Sequence, residues 1–288
     1  MAEIIALCPN VFRDSGLKTT LEAKRILEKA GFETAVSTVF RAGGNRGVPQ
    51  NVELSPIEES IRRAKLIVSF GGDGTILHTA RAAVGSEVPI IGVNLGTKGF
   101  MAELEPNQLD MLVKAAKGDF VPEYRMMLDV SLIREGETIY SDSALNDVVV
   151  SGIAHTVHLK AWGDGQLMTE FSGDGIILAT PTGSTAYSMS AGGPLVEPTA
   201  ENIILTPICS HALISRSFVL APERSVRVQL PRLSVNRRAV LSVDGGDTIS
   251  LRTGDELTVS RSKYRTLIAH VGDKTFYDVA YEKLGERK

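Results

Sequence analysis

The segment that decides the fold is Leu66-Ile67-Val68-Ser69-Phe70-Gly71-Gly72-Asp73-Gly74-Thr75-Ile76-Leu77, in which an apolar run stops abruptly at a glycine-rich sequence. The first half has the β-branched and aromatic composition of a buried parallel strand. Apolar residues then recur at helical spacing, at Ile76, Leu77, Ala80 and Val84. The pattern predicts a strand, a tight loop at 71–74 and a helix that begins near Thr75.

The predicted loop has the properties of an anion site. Glycine allows backbone angles that are closed to other residues and lets a ligand approach the main chain. The helix that follows directs free N–H groups and a partial positive charge at that ligand, so the loop is a predicted phosphate site. Asp73 needs a separate explanation, because a carboxylate repels phosphate unless it holds a metal ion or accepts a proton from an attacking hydroxyl. An ordinary strand-to-helix turn with Asp as its cap fits the same residues.

The loop matches neither of the two common phosphate-binding fingerprints. A P-loop requires Gly-x4-Gly-Lys-Ser/Thr, which the chain lacks, and a dinucleotide-type Gly-x-Gly-x-x-Gly starting at Gly72 would need glycine at Leu77. The Gly-Gly-Asp-Gly-Thr sequence resembles a signature shared by NAD kinases, diacylglycerol-type lipid kinases and, more distantly, phosphofructokinases. This segment alone leaves the three families open.

Length and composition describe a globular chain of about two domains. Its 288 residues are 43% hydrophobic and 23% charged, and the net charge of −3 gives no electrostatic footprint for nucleic acid or anionic membrane. No apolar stretch approaches ~20 residues and the start of the chain lacks basic residues, so we expect a cytoplasmic protein. Cys8 and Cys209 form no Cys-x-x-Cys site, and burial is expected for each.

Strands alternate with helices in the first 124 residues. Besides the strand at 66–70, strands are predicted at 4–7, 34–39 and 88–95, and helices at 17–30 and 109–116. The alternation predicts a Rossmann-like parallel α/β domain over 1–124. Ligands of such sheets bind beyond the carboxyl ends of the strands, where the loops at 71–74 and 96–100 lie. A glycine-rich loop at 41–49 has the length of a mobile flap.

Apolar and polar residues alternate from about residue 125 onward. The alternation recurs at 128–132, 157–161, 226–230, 249–251 and 257–259, and turn sequences separate the runs. Period-two alternation with turns every ~8–12 residues predicts an antiparallel β-sandwich, which we assign to 125–268. The last segment, 269–288, has a helical pattern and is expected to pack back on the first domain.

Two further sequences have the composition of a ligand site. Hydroxyls and glycines are dense over 172–194, where backbone amides and hydroxyls suit ribose and phosphate oxygens and the Tyr187 ring offers a stacking face. Asn146 and Asp147 precede another apolar run, and adjacent strand residues point to opposite faces. An ordinary Ser/Thr-rich loop and an ordinary turn also fit these sequences.

Together these sequences resemble the NAD kinase family nearly end to end. The family's Gly-Gly-Asp-Gly-Thr is 71–75, its Asn-x-Gly-x-x-Gly-Phe is 94–100, its Asn-Glu pair falls on 146–147, and its Thr-Pro-Thr-Gly-Ser-Thr-Ala-Tyr-Ser is 180–188. Neither of the other two families carries the last run, so it removes the ambiguity left by the first. Asp147 replaces the family's usual Glu, and Gly246 stands where Gln is common.

The resemblance implies an α/β domain joined to a β-sandwich, with NAD bound between them in a homodimer or homotetramer. Asp73 would be the catalytic base. The implied NAD-binding residues are Asp73, Gly74, Phe100, Asn146, Asp147, His155, Asp174, Thr185, Ala186, Tyr187, Ser188, Met189, Ser190 and Gly246. The implied phosphate-binding residues are Gly71, Gly72, Gly74, Thr75, Asn94 and Gly96.

The implied reaction transfers a phosphoryl group from ATP, or from polyphosphate, to the 2′-hydroxyl on the adenosine ribose of NAD, which gives NADP. Positioning and charge neutralisation would supply most of the catalysis, with a divalent cation, expected to be Mg²⁺, bridging donor oxygens. Carboxylates at Asp73, Asp147 and either Asp174 or Asp244 are expected to share the cleft, and their mutual repulsion is expected to raise the proton affinity of the base, Asp73. Two alternatives remain, a non-catalytic NAD(P)-binding sensor that would not need Asp73 and a lipid kinase with a membrane-facing patch.

Overall fold

The structure, a computed structural model, describes residues 3–39, 47–96, 99–211, 216–231 and 238–285. Most of the predicted flap, 41–46, lies outside the described residues. The chain divides into two compact units, one formed by Met1–Tyr124 with Arg265–Lys288 and the other by Arg125–Tyr264. Across the described part of the chain, no helix has both the length and the apolar character needed to cross a membrane.

The first unit is built on a parallel sheet, as predicted. Its strands are β1 (Ile4–Pro9), β2 (Thr34–Val36), β3 (Ala64–Gly71), β4 (Ile90–Asn94) and the last residues of the strand Glu256–His270. They pair in the order β2-β1-β3-β4 and then the terminal strand, all in parallel. Every residue of β1 and β4 is buried, in agreement with their nearly continuous apolar sequences, and the exception in β4 is its last residue, Asn94.

The helices of the first unit cover this sheet. They are α1 (Lys18–Lys29), α2 (Ile57–Arg63), α3 (Asp73–Ala82) and α4 (Leu112–Ala116), with 3₁₀ turns at Ser15–Leu17 and Pro106–Met111. The predicted helix at 109–116 is therefore shorter, because the first turns are a 3₁₀ segment that opens at Pro106. The strand predicted at 34–39 ends at Val36, and α2 was not predicted.

The second unit is an antiparallel sandwich, and the predicted fold class is confirmed. One sheet has the order β12 (Phe218–Leu220), β11 (Ile203–Ile208), β10 (Gly175–Ala179), β7 (Asp147–Gly152), β14 (Ala239–Val243) and β15 (Ile249–Leu251). The other contains β9 (Gln166–Gly173), β8 (Val157–Gly163), β13 (Val226–Gln229), β16 (Glu256–His270), β5 (Val121–Arg134) and β6 (Glu137–Ala144). Alternate residues of both sheets form a single core cluster, which accounts for the period-two sequences.

Short helical segments complete the structure. In the second unit, the sequence after β10 forms a 3₁₀ turn at Thr182–Thr185 and the one-turn helix α5 at Tyr187–Ser190. At the end of the chain, α6 (Phe276–Leu284) begins with a capping box between Thr275 and Asp278. Its Phe276 ring lies 6.4 Å from the Phe100 ring, and the Lys283 ammonium lies 4.3 Å from the centre of that same ring.

Candidate active site

Three loops meet at one edge of the parallel sheet in the first unit. They follow the carboxyl ends of β1, β3 and β4 and are tied together by backbone bonds: the Asn10 N–H donates to the Phe70 carbonyl at 2.8 Å, and the Leu95 N–H donates to the Gly71 carbonyl at 2.7 Å. We call residues 10–13, 71–75, 94–96 and 99–101 the glycine-loop cluster. It lies where open α/β sheets bind ligands, as the sequence predicts.

The Asp73 side chain is fixed within this cluster by main-chain donors. One carboxylate oxygen accepts a hydrogen bond from the Phe100 N–H at 2.7 Å, and the other accepts one from the Met101 N–H at 3.1 Å. A Cβ on Gly99 would lie 1.8 Å from the Asp73 carboxylate, so the chain must be glycine at 99 for the carboxylate to sit there. Asp73 is the first residue of α3, since Gly72 is extended and caps the helix two residues earlier than predicted.

The predicted phosphate residues of this loop divide into packed and open ones. A Cβ on Gly71 would lie 2.1 Å from the Thr75 hydroxyl, which is buried and accepts a hydrogen bond from the Asn10 amide at 3.2 Å. Gly71 and Thr75 therefore hold the loop together. Around Gly72 and Gly74 an added Cβ would have nothing within 4 Å, so their backbone is open to a ligand.

Asn94 and Gly96 lie near Arg13, a basic residue that was not among the predicted site residues. The Asn94 amide donates to the Gly96 carbonyl at 3.1 Å and to Glu105 at 3.3 Å, while its buried carbonyl oxygen has no hydrogen-bond partner among the described residues. The Arg13 guanidinium lies against Gly96, where a Cβ would be 2.5 Å from it. Arg13 is exposed and has no ion pair with any described residue. Arg13 could have been predicted from the sequence, because it is a basic residue just beyond the carboxyl end of a predicted strand, β1.

In the second unit, Asn146 and Asp147 form a turn that is held from both sides. The N–H groups of Leu145, Asn146 and Asp147 all donate to the Asp244 carboxylate, at 2.8, 2.7 and 3.0 Å. On the other side, the Thr180 hydroxyl donates to the Leu145 carbonyl at 2.6 Å and the Thr180 N–H donates to the Asn146 carbonyl at 2.9 Å. The buried Asn146 side-chain oxygen has no partner among the described residues, so it is available to a ligand.

Asp147 is a buried acid whose pKa is raised. Burial, reinforced by the negative charge of Asp244, raises the pKa of Asp147 to about 7. A side chain with this pKa exchanges its proton near neutrality, so it can either donate or accept a hydrogen bond there. The departure from the family's Glu thus leaves a short, buried acid at this position.

The raised pKa makes the stability of the fold depend on pH. Between about pH 4 and pH 7 the folded state holds a proton on Asp147 that the unfolded chain has lost, so stability falls as pH rises through this window. We expect Asp147→Asn, which cannot ionise, to gain stability relative to the unmodified chain by at most about 1.4 kcal/mol per pH unit across it. Urea unfolding of both proteins at pH 5 and pH 8 measures the difference. A difference that is the same at both pH values would contradict the assignment.

The predicted residues of 185–190 face different surroundings. Ser188 is buried and its hydroxyl is 3.0 Å from the Thr206 hydroxyl, so its side chain serves the interior. The Thr185 hydroxyl donates to the Thr182 carbonyl at 3.0 Å. Tyr187 is 45% exposed, so part of its side chain is accessible to a ligand. The remaining positions, Ala186, Met189 and Ser190, are half-buried or exposed.

Three predicted NAD contacts lie in other turns of the second unit. His155 is exposed between β7 and β8, and Asp174 is exposed between β9 and β10. Gly246 follows β14, where its N–H donates to the Val243 carbonyl at 2.9 Å.

Cys209 is exposed rather than buried, which corrects the expectation from composition. A hydrogen bond to the Asp174 carboxylate raises the pKa of the Cys209 thiol.

Comparison with known proteins identifies the family. The family model described as the ATP-NAD kinase N-terminal domain matches residues 7–117, and the model of the ATP-NAD kinase C-terminal domain matches residues 136–271. The chain belongs to the NAD kinase family. The lipid-kinase and phosphofructokinase readings of the glycine sequence are thereby excluded, and the chain is a phosphotransferase.

Relatives of this NAD kinase agree along nearly its whole length. The NAD kinase of Acetivibrio thermocellus is 39% identical over 98% of this chain and 97% of its own, and that of Ruminiclostridium cellulolyticum is 36% identical over 99% and 98%. Among solved structures, yeast NADH kinase complexed with NADH aligns with a TM-score of 0.84 at 26% identity, covering 100% of this chain and 89% of its own. An NAD kinase from Archaeoglobus fulgidus in complex with ATP aligns with a TM-score of 0.75 at 25% identity, covering 97% and 98%.

Proposed function

We propose that this NAD kinase transfers the γ-phosphoryl group of ATP to the 2′-hydroxyl on the adenosine ribose of NAD, with Asp73 as the base. The observation that carries the proposal is the Asp73 carboxylate, which two backbone amides hold at the edge of the glycine-loop cluster. The archaeal relative has been solved with ATP and the yeast relative with NADH, which supports a nucleotide donor and a dinucleotide acceptor.

The proposed chemistry uses Asp73 as a proton acceptor. Each carboxylate oxygen already accepts one amide hydrogen bond and retains a lone pair for the hydroxyl proton. As the 2′-oxygen forms its bond to the γ-phosphorus, its proton moves to Asp73 and the bond to the ADP oxygen breaks. The open amides around Gly72 and Gly74, at the start of α3, would bear part of the phosphate charge.

A divalent cation, Mg²⁺ in this proposal, would neutralise charge on the donor phosphates. Within the described residues no group of three or more His, Cys, Asp or Glu side chains could hold a metal ion. A single carboxylate is enough for Mg²⁺, which keeps several waters and is held mainly by substrate phosphates with one or two carboxylates. Asp73 is the protein side chain that would contribute to its coordination.

The turn at 145–147 would hold the acceptor nucleoside. The Asn146 side-chain oxygen, which has no partner in the described part of the chain, can accept a hydrogen bond from an N–H or O–H group of the ligand. Asp147 can exchange hydrogen bonds with ribose hydroxyls. Phe100 would lie against the adenine and Tyr187 would stack on another part of the dinucleotide. The proposal also includes a homodimer or homotetramer, from the family resemblance, which light scattering measures. It includes a cytoplasmic location as well, which is the expectation from the sequence.

The exposed guanidinium of Arg13 is the donor-side residue that we add to the implied set. Because it lies against Gly96 and lacks an ion pair among the described residues, we expect it to bind the donor phosphates. Arg13→Ala should raise the KM for ATP roughly tenfold, the loss of one charged hydrogen bond, and leave the KM for NAD unchanged. Arg25→Ala is the matched control, since Arg25 lies on α1 in an exposed pair with Glu22. Equal KM values for ATP in both variants would remove Arg13 from the donor site.

A coupled assay tests the proposed function. The purified chain is incubated with ATP, Mg²⁺ and NAD, and NADP is detected with an NADP-specific dehydrogenase. Parallel reactions with inorganic polyphosphate in place of ATP determine the donor. NADP formation is the predicted result, whereas NAD binding without NADP from either donor would favour the non-catalytic sensor.

A further inference from the structure

Asp244 is a carboxylate that the proposed chemistry does not use, yet it is hydrogen-bonded to the turn that carries Asn146 and Asp147. It accepts hydrogen bonds from the N–H groups of three successive residues, 145–147, at 2.7–3.0 Å. We propose that Asp244 is a positioning residue, which holds Asn146 and Asp147 in the one backbone geometry that presents both side chains to the acceptor ribose. This inference rests on the proposed function and deepens it.

Asp244 both donates a hydrogen bond to the turn and accepts hydrogen bonds from it. The Asp244 N–H donates to the Asp147 carbonyl at 2.9 Å, while its own side chain accepts from the turn. Asp244 directly follows β14, whose last residue Val243 pairs with Val148 of β7. Asp244 has a φ of +49°, in the left-handed region that a non-glycine residue occupies at a cost. Asp is one of the few non-glycine residues that tolerate this conformation. The hydrogen bonds to the turn offset the remaining cost, so the conformation persists.

The opposite side of the turn is closed by the sequence after β10. Besides the two hydrogen bonds from Thr180, Gly183 packs so closely that a Cβ there would lie 2.1 Å from the Asn146 carbonyl oxygen. The turn is therefore held by Thr180 and Gly183 on one side and by the Asp244 carboxylate on the other. The side chains of Asn146 and Asp147 are the parts of the turn that can act on a ligand. The buried Asn146 oxygen has no hydrogen-bond partner among the described residues, which indicates that a ligand binds it.

The chemistry at this position favours a carboxylate over its amide. Three N–H donors need two acceptor oxygens with several lone pairs, which Asp supplies. In Asp244→Asn one oxygen becomes an NH₂ group that faces backbone N–H groups, so at least one hydrogen bond is replaced by a donor–donor contact. The backbone of the turn would then change conformation, and the side chains of Asn146 and Asp147 would move relative to the ribose.

Steady-state kinetics of Asp244→Asn tests the proposal. We expect the KM for NAD to rise at least tenfold while the KM for ATP stays within twofold, because the turn serves the acceptor. Asp255→Asn is the matched control: Asp255 is a carboxylate of the same unit, but its partners are the Arg252 N–H and the Arg134 guanidinium rather than the 145–147 turn. It should lose thermal stability without a change in either KM. An unchanged KM for NAD in Asp244→Asn would overturn the proposal.

A second variant and a second measurement keep the test decisive. If Asp244→Asn does not fold, Thr180→Val removes the hydroxyl that donates to the Leu145 carbonyl and accepts from the Gly183 N–H. It loosens the same turn from its other side, so it should raise the KM for NAD by a smaller factor. Calorimetric Kd values for NAD, measured on the same proteins without ATP, report positioning even if the unmodified chain forms no NADP. Weaker NAD binding in the variants supports the proposal, and unchanged binding in both contradicts it.

Discussion

Asp73→Asn should lower NADP formation by about 10²–10⁴-fold, the usual effect of removing a general base, while NAD still binds. The amide keeps the size of the side chain but lacks the basic lone pairs and the negative charge that would accept the hydroxyl proton. The structure adds a second consequence. Because both Asp73 oxygens accept backbone bonds, from Phe100 and Met101, the amide nitrogen that replaces one oxygen in this variant must oppose one of these N–H groups.

The measurement for this variant is therefore paired on one purified sample. Turnover comes from the coupled assay, NAD affinity from calorimetry and retention of the fold from thermal unfolding. A sensor would respond through affinity alone. If Asp73→Asn kept more than about a tenth of the unmodified turnover, a smaller loss than removal of a base produces, Asp73 would be an anchor for the 99–101 loop rather than the base.

Gly99→Ala should reduce turnover by about 10²-fold, although no catalytic atom is removed. The new Cβ would lie 1.8 Å from one oxygen of Asp73, so the carboxylate or the loop must move by more than about 1 Å. A misplacement of that size at a reacting group typically costs about two orders of magnitude. The left-handed region is not involved at Gly99, so the effect is steric.

The double variant Asp73→Asn/Gly99→Ala shows whether the two effects share one cause. If Gly99→Ala acts through the carboxylate, it should cost little more once the base has been removed, and the coupling energy should be large. Additive losses in the two single variants and the double variant would show that Gly99→Ala damages something else.

Local patterns predicted the elements of this fold because each depends on neighbours in sequence. The apolar run of β3 followed by glycines predicts strand, loop and helix, and the alternation in β13 and β16 predicts a sandwich with one buried face. The boundaries of the elements were predicted less accurately, because they depend on backbone conformations that residue types do not specify. The start of α3 depends on the extended conformation of Gly72, which no side chain signals.

The site could be predicted only as a set of residue types, since its geometry depends on contacts between distant positions. The bonds of Asp73 reach across 27 and 28 residues, and those of Asp244 across 97 to 99. Composition did not distinguish the buried Ser188 from the exposed Tyr187, because the Ser188 hydroxyl contacts Thr206, which is distant in sequence. The glycine sequence likewise did not show that Gly71 packs while Gly72 is open.

The most direct test of the role of Asp73 is chemical rescue. Asp73→Ala removes the carboxylate and leaves space for a small acid, so NADP formation is measured at saturating NAD and ATP with increasing formate and, as the control, with chloride at equal ionic strength. We predict turnover at least about 10²-fold below that of the unmodified chain without formate, and a rise in proportion to formate that chloride does not produce. Turnover in Asp73→Ala close to that of the unmodified chain, with no response to formate, would contradict the assignment of Asp73 as the base.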